Sequence, residues 1–132
     1  MDHYDLARAA LATIPSGPNA MRISEALLAL MLAGGVPPRI AAWAMDRIFL
    51  YITADAYEMS IWRTEVLPAG ADKDEFVMQL GEDLAAYFEQ LPEDTYPNLR
   101  KHARDMSGGG TDARFELGLE LLVGGLDKYV QK

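Results

Sequence analysis

The sequence predicts an all-α fold, a helical bundle formed by one domain over residues 1–132. Apolar residues recur at intervals of three and four along most of the chain, which is the period of an α-helix. Proline and glycine clusters separate these stretches and mark where helices begin and end. No stretch alternates polar and apolar residues between hairpin turns, so nothing predicts a β-sheet.

Two helices are predicted in the first quarter of the chain. The first spans about residues 4–13 and stops near Pro15, because proline disfavours helical geometry in the residue before it. The second spans about residues 18–33. Pro18 suits its first turn, and a pair of glycines ends it.

A long helix follows, from Pro38 to about residue 65, and Pro68 breaks it. Residue spacing separates two largely apolar stripes along this helix. An apolar surface on more than one side predicts packing against the chain's own core and against another chain. The first stripe holds Ala42, Met45, Asp46, Phe49 and Thr53, and the second holds Ile48, Tyr51, Ile52, Asp55, Met59 and Trp62.

The second half of the chain predicts three more helices. One spans about residues 72–91 and begins where Asp72 and Glu75 can form a capping pair. A short helix is predicted over residues 98–106, followed by a flexible, glycine-rich connection.

The last predicted helix spans about residues 111–129, with Thr111 or Asp112 as its cap. It is apolar on more than one face. Three glycines favour a close approach to another helix, although each lowers helix stability by up to about 1 kcal/mol. We expect this approach at a dimer contact; the glycines are Gly118, Gly124 and Gly125.

Composition excludes several classes of site. A net charge of −8 opposes binding to nucleic-acid phosphates, and the lack of cysteine excludes disulfides and thiolate metal sites. The acidic first residues do not resemble a signal peptide, and charges interrupt the apolar stretches, which makes a membrane span unfavourable. We therefore expect a cytoplasmic protein with no cofactor, no metal site and no membrane partner.

Motifs of catalysis are also missing from the sequence. There is no Gly-x-Ser-x-Gly, no phosphate-binding loop and no closely spaced histidine pair. The two histidines, His3 and His102, lie in short peripheral segments where a solvated histidine is the usual role. The sequence therefore does not predict an enzyme.

Three segments carry a resemblance to a known family: residues 17–22 at the start of the second helix, residues 35–38 with the helix that follows, and residues 115–126. In this order and spacing they resemble the C-terminal ligand-binding and dimerisation domain of the tetracycline repressor (TetR) family of bacterial transcription regulators. The resemblance covers nearly the whole chain. It implies an all-α domain that forms a homodimer through a four-helix bundle.

The resemblance also implies which residues face the ligand and which face the partner. The first stripe of the long helix would line the ligand cavity, and the second would meet the partner subunit. Such a cavity is expected to be mostly apolar with a few polar groups, so a hydrophobic or amphipathic ligand is expected. The ligand-binding residues predicted are Ile14, Pro15, Arg22, Ile23, Ala26, Ala42, Met45, Asp46 and Phe49. The dimer-interface residues predicted are Tyr51, Ile52, Asp55, Met59, Trp62, Phe115, Leu119, Leu122 and Leu126.

Charges on the apolar stripes allow two interpretations. Arg22 and Asp46 could pair across the cavity or hold a polar group of the ligand, since a buried charge must be paired or hydrated. Alternatively they form a structural ion pair or a solvated rim, which is commoner. Asp55 would meet its symmetry mate near the dimer axis, or pair with a basic residue at the edge.

The family resemblance leaves the functional role open between several interpretations. The family's N-terminal helix-turn-helix domain is absent from this sequence, so DNA would be bound only through that missing domain. The chain would be either a fragment of a repressor, sensing a small molecule, or a stand-alone protein that sequesters a drug. A pure dimerisation module without a ligand is the third alternative.

Overall fold

The computed structural model describes residues 16–130. These residues form helices joined by irregular segments, and no strand is found among them. The all-α prediction is confirmed. The helix predicted at residues 4–13 and the predicted site residues Ile14 and Pro15 lie outside the described residues. The helices are α1 (Pro18–Ala33), α2 (Pro38–Ile61), α3 (Lys73–Glu89), α4 (Pro97–Lys101), α5 (Ala103–Ser107) and α6 (Thr111–Gly124).

The chain divides into two compact units. The first unit comprises Met1–Ile61 and Phe115–Lys132, and the second comprises Trp62–Arg114. The prediction of a single domain over residues 1–132 stays a prediction. No helix in the described part of the chain is long and apolar enough to cross a membrane.

In the first unit, α1 and α2 form a helical hairpin whose turn follows from its glycines. The backbone N–H of Gly35 donates to Leu32 at 3.0 Å, and that of Val36 donates to Met31 at 3.0 Å. Gly35 has a φ of 85°, so this is a Schellman motif with glycine in the left-handed position. Its apolar contact joins Met31 and Val36, which form the buried core with Ala41.

In the second unit, α3 packs against the two short helices. Asp72 caps α3 as predicted, accepting a hydrogen bond from the backbone N–H of Glu75 at 3.0 Å. Ala85 and Ala103 are buried between the helices, where small side chains permit a close approach. A Cβ atom added at Gly81 would stand only 3.1 Å from the backbone oxygen of Ser107.

Three predicted boundaries need correction. Regular helix α2 ends at Ile61, and a π-helical turn over Trp62–Val66 follows it. The predicted helix over residues 98–106 is two separate helices, α4 and α5. Helix α6 already includes Thr111, so neither Thr111 nor Asp112 is its cap, and the carbonyl of Gly110 accepts the bond from the Arg114 N–H.

The final predicted helix also ends earlier than expected. Regular α-helix stops at Gly124, and a 3₁₀ turn covers Gly125–Tyr129. Two successive glycines weaken the helix at this point, because glycine loses more backbone freedom than any other residue on becoming helical.

Candidate functional site

Helix α1 presents an exposed apolar face that includes two of the predicted ligand-binding residues. Ile23 is 57% exposed and Ala26 is also exposed. Leu30, one further turn along the same face, is 70% exposed and was not in the predicted set. These three residues form a continuous apolar surface that is exposed to water, and we call it the α1 face.

Helix α2 supplies four further members of the predicted ligand-binding set. Met45 and Phe49 are half-buried, and Met45 packs against the core of the first unit. Ala42 and Asp46 are exposed. The members of the predicted set that fall within residues 16–130 therefore lie on two helices of one unit.

The pairing of Arg22 with Asp46 is not what the structure shows. Arg22 donates to the side-chain oxygen of Asn19, three residues before it on α1. Asp46 accepts from the Nε atom of Arg47 at 2.9 Å. Each charge is bound by a neighbour on its own helix, and both residues are exposed, which matches the solvated alternative.

Tyr51 and Phe115, both predicted to lie at the dimer interface, contact each other within one chain. Their rings stack with centroids 5.4 Å apart, and the Tyr51 hydroxyl donates to the Phe115 carbonyl at 3.0 Å. The close approach predicted at Gly118 is present, but its neighbour is Tyr51 of the same chain. Within residues 16–130, nothing lies within 4 Å of a Cβ added at Gly124 or Gly125.

The other predicted interface residues occupy varied environments. Leu126 packs against the core of its own unit, whereas Ile52 is exposed. Trp62 follows α2 in the π-helical turn and belongs to the second unit. The remaining members are half-buried: Asp55, Met59, Leu119 and Leu122. Their role in an interface stays a prediction.

The structure exposes large apolar residues that the predicted interface omits. Trp43 is 62% exposed and Leu50 is 43% exposed on α2, and Leu121 is 68% exposed on α6, near the similarly exposed Leu117. The signal for the α2 pair was present in the sequence, since Trp43 and Leu50 are one heptad apart. Neither residue belongs to the two predicted stripes of the long helix.

The second unit contains an open cavity of about 460 Å³. One wall is the first three turns of α3, and the other is α5 together with the glycine-rich segment that leads into α6. None of the predicted ligand-binding residues that the structure describes is among those lining it. The lining residues are Lys73, Asp74, Val77, Met78, Gly81, Glu82, Ala85, Arg104 and every residue from Ser107 to Asp112.

Among the described residues, no group of three or more His, Cys, Asp or Glu side chains is placed to hold a metal ion. Some charged side chains instead pair locally. Arg104 on α5 is an example, since its Nε atom lies 3.0 Å from Glu89 and its Nη1 atom 3.5 Å from Glu82.

The solved structures to which this chain is similar include TetR family proteins. ActR from Streptomyces coelicolor, a TetR family protein, superposes in complex with actinorhodin with a TM-score of 0.76 and 33% identity, covering 97% of this chain and 56% of ActR. Its complex with (S)-DNPA gives a TM-score of 0.72 and 31% identity, over 96% of this chain and 55% of ActR.

A second regulator supports the same relationship. SCO7222, a TetR transcriptional regulator also from Streptomyces coelicolor, gives a TM-score of 0.73 and 26% identity, over 97% of this chain and 56% of that one. The chain thus spans a little over half the length of these regulators. A comparison with curated proteins finds no match.

The sequence itself matches a family model over nearly its whole length. The tetracyclin repressor-like, C-terminal domain family matches residues 1–130. The all-helical architecture and the similarity to regulators of this class agree with that match. The chain therefore belongs to the tetracyclin repressor-like, C-terminal domain family.

Proposed function

We propose that the chain is the small-molecule-sensing and dimerising domain of a TetR-type repressor, acting in the cytoplasm and without enzymatic activity. The observation that carries this proposal is the similarity to ActR in complex with two different small molecules, over 96% of this chain or more. A sensing domain needs a surface that binds an apolar molecule and a second chain that responds to it.

The α1 face, together with the first stripe of α2, is the proposed ligand-binding surface. Ile23, Ala26 and Leu30 contribute exposed apolar area, while Met45 and Phe49 contribute half-buried area. Met45 is unbranched and polarisable, which suits adaptable contacts. Arg22 and Asp46 lie at the solvated edge, where they could meet polar groups of a ligand without first being desolvated.

Actinorhodin is the first probe for this proposal. We expect it to raise the melting temperature of the chain and to appear as an added mass in native mass spectrometry. A ligand at 100 times its Kd stabilises the folded state by about 2.7 kcal/mol. A panel of other apolar and amphipathic compounds follows in the same assay, since the ligand of this chain can differ from that of ActR.

Two matched variants test whether the ligand contacts the α1 face. Ile23 and Met21 have nearly equal exposures of 57% and 56%, but they lie on different sides of α1. Ile23→Asp is expected to abolish stabilisation by any ligand found, because it introduces a charge into the apolar contact, whereas Met21→Asp retains it. Equal effects of both variants, or no stabilisation by any compound in the panel, would contradict the proposal.

The second chain is proposed to dock on α2 and α6, forming a four-helix bundle. Exposed Trp43, Leu50, Leu117 and Leu121 supply apolar area there, in addition to the interface residues predicted from the sequence. Leu121→Glu is expected to convert the dimer to a monomer. Val123→Glu, on the acidic side of α6, serves as the control and should remain dimeric in native mass spectrometry.

In a complete regulator, this domain would act by favouring one arrangement of its two chains. A ligand shifts the spacing of two DNA-binding domains only if it binds one arrangement more tightly than the other. The coupling free energy equals that difference in binding free energy. The corresponding test compares ligand affinity with and without bound operator in a full-length regulator that contains this domain.

A further inference from the structure

We propose that the cavity of the second unit is a second binding site, specific for small organic cations that carry an apolar body. It is lined by residues of α3, α5 and the segment leading into α6, none of which belongs to the proposed ligand-binding surface on α1 and α2. Its volume of about 460 Å³ falls within the range of roughly 300–1,000 Å³ that is typical of small-molecule sites.

The α3 wall of the cavity combines apolar residues with the charged Lys73, Asp74 and Glu82. Val77, Met78 and Ala85 line it, with Gly81 between them leaving the backbone uncovered. Met78 is 67% exposed, so much of its apolar side chain is accessible to a ligand. A flexible thioether at the edge of a cavity can adapt to apolar ligands of different shape.

The opposite wall is backbone held in a fixed conformation. Gly108, Gly109 and Gly110 contribute no side chains to the cavity, and Gly109 has a φ of 84° that L-residues rarely adopt. The Arg114 guanidinium donates to the carbonyls of Met106 at 2.6 Å and Gly108 at 2.7 Å. These bonds fix the glycine segment and keep the cavity open beside α3.

The charges that line the cavity determine the sign of the ligand. Arg104 is neutralised by Glu82 and Glu89, so it does not attract an anion. Of the remaining charged lining residues, Asp74 and Asp112 are negative and Lys73 is positive. Neither carboxylate has an ion-pair or hydrogen-bond partner within residues 16–130. With a net charge of −8 on the whole chain, the local potential favours a cation.

Tetraphenylphosphonium is a suitable probe because it is an apolar cation with a matched control. The control is tetraphenylborate, which has nearly the same size and apolar surface but the opposite charge. Isothermal titration of the intact chain is expected to show saturable binding of the phosphonium and at least tenfold weaker binding of the borate. The phosphonium affinity should fall as ionic strength rises, since its attraction to exposed carboxylates is screened by salt.

A double variant locates the bound cation. Asp74→Asn with Asp112→Asn removes two carboxylates from the lining and is expected to weaken phosphonium binding about tenfold, the combined effect of two exposed ion pairs. Glu93→Gln with Asp94→Asn removes the same charge from the turn after α3, outside the cavity, and should change the affinity less than twofold. Circular dichroism verifies that both variants stay folded.

Several outcomes would overturn this inference. They are the absence of saturable phosphonium binding, borate binding of equal strength, and equal affinities for the two double variants. Ile23→Asp separates this site from the proposed ligand-binding surface, because it should leave phosphonium binding unchanged. Loss of phosphonium binding in Ile23→Asp would place the cation on the α1 face and would also overturn the cavity proposal.

Discussion

At Gly118, helix α6 lies so close to Tyr51 that no larger residue fits without a rearrangement. An added Cβ atom would collide with the Tyr51 hydroxyl and stand 2.6 Å from its Cζ atom. The hydroxyl is held there by its hydrogen bond to the Phe115 carbonyl and by the stacking of the two rings. Glycine is therefore required at this helical position despite its low helix propensity.

Gly118→Ala is expected to lower the free energy of unfolding by about 1–3 kcal/mol, the usual range for overpacking. In a Tyr51→Ala background, Gly118→Ala should instead raise the free energy of unfolding. The Tyr51 ring is then absent, and alanine favours the helix over glycine by up to about 1 kcal/mol. Chemical denaturation of the four proteins of this cycle measures both effects.

Gly124→Ala is the control for this cycle, since no described residue lies within 4 Å of its added Cβ. It should be neutral or stabilising in both backgrounds. Equal destabilisation by Gly118→Ala with and without the Tyr51 side chain would show that the contact does not determine the requirement for glycine.

At the scale of the elements, the turn between α1 and α2 depends on the left-handed conformation of one glycine. Gly35 has a φ of 85°, whereas its neighbour Gly34 has a φ of −75°. Gly35→Ala is expected to destabilise the chain by about 1–2 kcal/mol, because the left-handed region brings Cβ close to the next carbonyl oxygen. Gly34→Ala, whose Cβ would make only an ordinary contact at 3.4 Å, should change stability much less.

These two alanine variants form a matched pair, since each adds one methyl group to the same turn. Thermal unfolding followed by circular dichroism measures their difference. A larger effect at Gly34 would mean that the turn adopts another conformation in solution.

The start of α3 depends on a side-chain cap. Asp72→Ala removes the acceptor of the Glu75 N–H and is expected to destabilise the folded chain by about 1 kcal/mol. Asp72→Asn retains an acceptor oxygen and should keep most of that stability. Because this cap holds the first turn of α3, Asp72→Ala should also increase hydrogen exchange in that turn. Unchanged exchange there would contradict the importance of this cap.

The sequence could predict features that depend on residues close together in the chain, but not contacts between residues far apart in it. Pro18, Pro38 and Asp72 act within one helical turn, so the starts of α1, α2 and α3 were predicted correctly from local patterns. The contact of Tyr51 with Phe115 joins residues 64 positions apart. Spacing along a helix shows which residues share a face but not which neighbour that face meets. The cavity of the second unit escaped prediction for the same reason.

For the whole molecule, the dominant electrostatic quantity is the net charge of −8. A homodimer doubles it to −16, and bringing two such chains together is opposed by their mutual repulsion. Salt shortens the Debye length from about 30 Å at 0.01 M to about 10 Å at 0.1 M. We therefore expect the proposed dimer, whose exposed contact residues are apolar, to associate more tightly as ionic strength rises.

Sedimentation equilibrium at several concentrations of NaCl measures this dependence, and KCl at the same ionic strength serves as the control for specific ion effects. Screening depends only on ionic strength, so the two salts should give the same dissociation constants. Tighter association at low salt would mean that opposite charges meet across the interface and outweigh the repulsion between the chains. The contact would then have to include charged side chains such as Arg47 and Glu58 of α2, and not only the apolar residues proposed on α2 and α6.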